Sequence, residues 1–249
     1  MKNVVTVKEQ LTSGTNRRSF LKISGLTLAA TGLILTGCND DDDRGTTPGS
    51  NQLPGIRNGV FDLGGGDFGV LTYAYALEQL EADFYTKVVN GDQFGSIFNS
   101  EEQQVLSDLY AHEVIHREFF KAALSGALPN PSSQLLPGLE FNYDGVNFND
   151  RLSVLNTAKT LEDTGVAAYN GAGRLITSGD YLLLAGKIVS VEARHASAIR
   201  SLLNPNSKDF AGDDVVSAMN GLDQALAPAQ IIDAAGGFFA TPFTAQFLT

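Results

Sequence analysis

"HEVIHREFF" (residues 112–120) and "SVEARHASA" (190–198) decide how the chain is read. Each lies in a run of helical periodicity. Each also sets a glutamate and, three residues on, a histidine on the stripe that its apolar neighbours mark as inward: Glu113 and His116 between Leu109 and Phe120, Glu192 and His195 between Ile188 and Ile199. Residues at i and i+3 share one face of a helix, about a turn apart. Each pair therefore aims a carboxylate and an imidazole at one spot. A buried carboxylate without a partner is costly, and this chain buries two, each beside one of its three histidines.

The flanking pattern predicts four long helices. The first runs from about residue 68 to 90, with Leu71, Ala74, Tyr75, Glu78, Ala82 and Tyr85 on one stripe and Gly91 as a stop. The second starts at Ser100, read as an N-cap with Gln103 completing a capping box, and stops at Gly126. The third starts at Asp150 and runs to about 176, with Leu155, Ala158, Glu162, Val166 and Tyr169 inward. The fourth follows "TSGD" (177–180) and ends near Leu203, before Pro205. Helices three and four are joined by a few residues and so are antiparallel neighbours. Residues 127–149, with three prolines, form a long crossover between helices two and three, containing a short extended turn at 139–148. The fold class is all-α, a four-helix bundle. Residues 67–204 are assigned to the bundle. Residues 205–249, with a short helix at "PAQIIDAA" and an apolar end, are expected to pack back on it.

Every stripe thus carries an acid: Glu78, then Glu113-x-x-His116, then Glu162, then Glu192-x-x-His195. Tyr85 follows Glu78 by seven residues and Tyr169 follows Glu162 by seven, so the chain reads as two copies of one helical hairpin about an approximate twofold axis. Four facing carboxylates repel one another; two divalent cations cancel their charge, and each histidine adds a neutral nitrogen. Glu81 also falls near the inner face and is an alternative or additional ligand; Glu78 is preferred because its offset to Tyr85 mirrors that of Glu162 to Tyr169. Tyr85 and Tyr169 are core aromatics or hydrogen-bond donors to ligand carboxylates. His112 is one position off the ligand face, at the surface or behind a ligand. Asp163 forms a salt bridge or orients a histidine, and Arg194 is solvated.

The first part of the chain points elsewhere. "NRRSFLK" (16–22) precedes an apolar run, "ISGLTLAATGLILTG" (23–37), shorter than the roughly 20 residues that span a bilayer. The pair Arg17–Arg18 resembles a twin-arginine export signal, and "LTGC" (35–38) resembles a lipobox, in which the chain is cut before Cys38 and Cys38 takes the lipid. The alternative is an anchor helix that is not cut. Residues 1–37 are thus a signal peptide and 38–66 a flexible tether rich in Asp, Gly and Pro. With one cysteine the chain forms no internal disulfide. Its formal charge is −11, and losing residues 1–37, with five basic residues and one acidic, leaves −15. That balance excludes nucleic acid as a partner.

Two Glu with two Glu-x-x-His resembles the ligand set of di-iron and di-manganese carboxylate bundles. On "ALEQLEADFY" (76–85), "HEVIH" (112–116), "LEDTGVAAY" (161–169) and "SVEARHA" (190–196), residues 68–204 resemble the bacterial ferritin-like domain proteins. Their wider superfamily includes rubrerythrins, bacterioferritins and manganese catalases, with related sequences among plant desiccation-associated proteins. The resemblance implies a site for two metal ions, iron ahead of manganese, held by Glu78, Glu113, His116, Glu162, Glu192 and His195. It also implies an oxidoreductase acting on peroxide or dioxygen, while the twin-arginine and lipobox resemblances imply a place at the periplasmic side of a bacterial envelope, tethered to the membrane by Cys38. The rival readings are a stress or desiccation protein that does no catalysis, its metal only structural or absent, and an interaction module using the apolar stretch 237–248.

Overall fold

The computed structural model describes residues 51–249; the twin-arginine segment, the apolar run and Cys38 lie outside the described residues. Four helices build the bundle: α1 (Gly66–Val89), α3 (Ser100–Ala127), α5 (Arg151–Gly173) and α6 (Gly179–Leu203). Short helices α2 (Phe94–Ile97) and α4 (Pro131–Gln134) lie in the connections, and α7 (Pro228–Ala235) lies in the tail. α1 packs on α3 and α5 on α6, with α1 against α5 and α3 against α6 closing the bundle. Among the described residues no helix is long and apolar enough to cross a membrane.

The caps show why the helices begin where they do. α3 starts one residue earlier than Ser100 suggests as a cap. Asn99 accepts from the backbone N–H of Glu101 and Glu102, and Glu102 accepts from the backbone N–H of Asn99, so the capping box is Asn99–Glu102 rather than Ser100–Gln103. Asp150 caps α5 through the N–H of Ser153, as its sequence suggests. α6 is capped by Ser178, so its first turn takes in the Gly179 and Asp180 expected before it.

α1 is buried on all sides from Gly69 to Ala82, which its stripe alone does not foretell. A helix so enclosed needs cover beyond one bundle face. The crossover supplies part: the Gln79 amide donates to the Pro137 carbonyl (3.3 Å) and accepts from Leu139 N (2.9 Å), and the Tyr143 hydroxyl donates to the Leu80 carbonyl (3.3 Å). The tail adds to it at Gly69, where an added Cβ would lie 3.1 Å from the Leu248 side chain. Leu226 N donates to the Ala167 carbonyl of α5 (3.1 Å), and Ile231 and Leu248 are buried. The apolar end therefore contributes to the chain's own core.

Residues 55–66, read from sequence as part of a flexible tether, are ordered by pairing at both ends. β1 (Gly55–Arg57) and β2 (Val60–Asp62) form an antiparallel hairpin, and β3 (Phe243–Thr244) adds to β2 in parallel. The turn is Asn58–Gly59, both with positive φ, a two-residue turn whose twist suits a hairpin. Asp62, fully buried, clasps the two ends of the fold. It accepts from the Thr244 hydroxyl (2.6 Å), Gly64 N (2.9 Å), Gln246 N (3.2 Å) and Arg57 (3.2 Å).

Two apolar clusters fill the bundle, one around Leu71, Leu124, Ala168 and Ile188, the other around Leu80, Leu106, Leu155 and Ile199. In sequence the inward acids of all four helices fall between the members of these two clusters.

Candidate metal centre

α1 supplies Glu78, α3 supplies Glu113 and His116, α5 supplies Glu162, and α6 supplies Glu192 and His195. All four glutamates are fully buried, His195 is 3 % exposed, and the His116 side chain is 12 % exposed. Their donor atoms form two overlapping groups, Glu78–Glu113–His116–Glu192 and Glu113–Glu162–Glu192–His195, each with ligand atoms within 4.8 Å of one another. His116 Nδ1 lies 2.9 Å from Glu192 Oε1, 3.4 Å from Glu78 Oε2 and 3.5 Å from Glu113 Oε2. His195 Nδ1 lies 2.7 Å from Glu113 Oε1, 3.5 Å from Glu162 Oε2 and 3.6 Å from Glu192 Oε2. Glu113 and Glu192 thus face one histidine with one oxygen and the other histidine with the second.

These short contacts are not directed as hydrogen bonds. Both oxygens of Glu113 and Glu192, one each of Glu78 and Glu162, and Nδ1 of both histidines are buried with no hydrogen-bond partner. Buried polar groups are ordinarily paired. Eight unpaired donor atoms converging from four helices fit cations better than they fit one another. The remaining oxygens of the two outer glutamates are taken by tyrosines, and the pairing is crossed. Tyr85 on α1 donates to Glu162 on α5 (2.6 Å), and Tyr169 on α5 donates to Glu78 on α1.

Two further groups stand beside the centre. Glu81 is 3 % exposed with Oε2 unpaired, outside both donor groups but close enough that Glu192 and Glu113 repel its charge. Its place is made by Gly165, where an added Cβ would sit 2.9 Å from Glu81 Oε1; the sequence reading missed that glycine, whose only signal is its offset of three from Glu162. His112, exposed on α3, brings its Nδ1 to 2.9 Å from Nε2 of His195. Asp163 turns to Arg200, pairing at 2.7 and 2.8 Å, and does not reach a histidine. Arg194 is exposed and bonds Ser190.

The electrostatics show what cations would replace. Burial pushes Glu162 up to about 8, with Glu113 and Glu192 adding to it against the pull of His195. Burial and the charge of Glu192 likewise raise Glu78 well above the carboxylate range. Burial disfavours a charged His195, but Glu162 and Glu113 outweigh it and push that group up to about 12. Burial would also raise Glu113, yet the two imidazoles hold it at about 2. Without a cation, then, protons neutralise the cluster, and metal binding must displace them.

The sign of the pH dependence follows. The raised groups stabilise the fold fully below their unfolded values, roughly 4.3 for Glu and 6.5 for His, and that stability is lost as pH climbs through about 8 for Glu162 and towards about 12 for His195. Glu113 acts oppositely: its contribution is present above the ordinary carboxylate range and lost as pH falls towards about 2. Chelator-treated protein is expected to unfold at progressively lower urea concentration from about pH 6 to about pH 9, and manganese(II) is expected to flatten that decline. Identical alkaline slopes with and without the metal would contradict this reading of the cluster.

The bundle and its buried donors define a helical protein able to hold metal ions in its core. Residues 66–205, more than half of the chain, match the family model for a ferritin-like domain, and the chain belongs to that family. A comparison with curated proteins gave no match.

Proposed function

We propose that this chain is an exported, lipid-anchored di-metal protein, iron ahead of manganese, that acts as an oxidoreductase on peroxide or dioxygen in defence of the cell envelope. The observation that carries the metal reading is the sharing of Glu113 and Glu192 between two donor groups. Two cations would each take one histidine and one outer glutamate, Glu78 with His116 and Glu162 with His195, and would share both central carboxylates. Two ions held there would supply two-electron chemistry towards a small oxidant. The donor set of carboxylates with imidazole suits iron or manganese.

The protein's part is to hold and shield. Tyr85 and Tyr169 fix one oxygen of each outer glutamate, leaving the other to face the centre. The apolar clusters exclude water, and Glu81 supplies a further carboxylate at the side of the centre. Export and membrane attachment rest on Arg17–Arg18, the apolar run after them and Cys38.

Elemental analysis of the mature protein purified from an exporting host is expected to give about two metal ions per chain. Loss of hydrogen peroxide or dioxygen is then followed on the same sample. Two ions with turnover support the full proposal. Two ions without turnover assign the metals a structural role, and the absence of any metal uptake overturns both.

A further inference from the structure

The approximate twofold relation between the two hairpins fails at the histidines. His112 precedes Glu113 on α3, and the matching residue before Glu192 on α6 is Val191. His112 bonds His195 across the bundle, while His116, the twofold mate of His195, has no hydrogen-bond partner at Nε2 among the described residues. The rings of His112 and His195 are within 8° of parallel, with centroids 5.1 Å apart. That separation is the 2.9 Å nitrogen–nitrogen distance plus half a ring on each side, so the rings meet edge to edge in one plane. The contact is an in-plane hydrogen bond, the direction a ring lone pair requires.

His195 offers Nδ1 to the carboxylates of the centre. With Nδ1 engaged there as a lone-pair donor, its proton sits on Nε2 and is given to Nδ1 of His112, whose own proton then faces outward on Nε2. Asp108 stands one turn earlier on the same helix, and its charge acts on His112. A buried ligand is thereby held in one tautomer and one ring orientation by an exposed side chain, on one side of the pair alone.

We propose that His112 is a positioning residue for His195 and makes the two metal positions unequal, the position on His195 being the tighter. The inference rests on the di-metal reading above and goes beyond it by ranking the two positions. Outer hydrogen-bond partners of metal-bound histidines change affinity by roughly 10–100-fold.

The test titrates the metal-stripped full chain with cobalt(II), followed by calorimetry and by the visible ligand-field spectrum. Wild type is expected to fill in two resolved steps. His112→Phe, which keeps a planar ring but no acceptor, is expected to weaken the first step about tenfold or more and shift its spectrum, leaving the second step unchanged. His112→Asn, whose amide oxygen replaces the Nδ1 acceptor, is expected to restore much of both. The exposed position of His112 keeps these variants folded, which a thermal melt checks. Two steps and an unchanged spectrum in His112→Phe overturn this inference while the di-metal reading stands. Equal steps in wild type do the same. Failure of wild type to take up cobalt(II), manganese(II) or iron(II) removes both.

Discussion

Glu113→Ala is expected to abolish paired metal binding. One oxygen of Glu113 faces His116 and the other faces His195, so the substitution takes a donor from both groups at once. Glu78→Ala takes a donor only from the group on His116. The contrast separates a shared centre from two independent ones. By elemental analysis after equilibration with excess manganese(II), wild type is expected to retain about two ions, Glu78→Ala about one, and Glu113→Ala fewer than one. The affinity loss in Glu113→Ala should exceed the roughly 10–100-fold that follows loss of an outer partner. Retention of one tightly held ion by Glu113→Ala, as by Glu78→Ala, would show that Glu113 does not bridge.

Gly171→Ala is expected to give the largest loss of stability from a single added methyl. A Cβ at Gly171 would lie 1.7 Å from the carbonyl oxygen of Leu226, a backbone atom that cannot rotate away. Leu226 is tied to α5 by its own N–H, so the tail must lift from the helix or the helix must bend. Overpacking of this kind costs typically 1–3 kcal/mol and occasionally more; about 3 kcal/mol is expected in urea unfolding. The same change at Gly186, in the middle of α6 with open space where the methyl would go, has the opposite sign. There the gain in helix propensity is about 0.5–1 kcal/mol. Equal effects at the two glycines would mean that the tail does not lie on α5 as described.

The convergence of the donor side chains was legible because its signal is a contradiction within a period. Glu78, Glu113, Glu162 and Glu192 each interrupt an apolar stripe at the position where a core residue belongs, and the matched tyrosine offsets pair the helices. Glu81 was legible as an inward acid and was read as an alternative or additional ligand; that it stands beside both donor groups and in neither depends on the room left by Gly165. His112 was read as a surface residue or one behind a ligand, but its partner was not legible, since His195 is 83 residues away and an exposed helix position carries no periodic mark. The hairpin at 55–62 was missed although Asn58–Gly59 is a turn signal. Strands of three residues are too short to show alternation, and β3, which completes the sheet, lies far along the chain. The full burial of α1 depends likewise on a crossover and a tail whose docking no local pattern encodes. At the start of α3, Asn99 and Ser100 are both good caps, and only the reach of Glu102 to Asn99 chooses between them.

The crossed tyrosine bonds make each hairpin depend on the other. Neither hairpin satisfies its own outer glutamate: the hydroxyl that Glu78 requires comes from α5, and the one that Glu162 requires comes from α1. A single hairpin of this design is incomplete alone but complete beside a copy of itself, each tyrosine reaching into the other subunit. The crossed bonds are those that two identical hairpins facing each other would make, and the two halves differ at position 112 against 191 and at position 81 against 165.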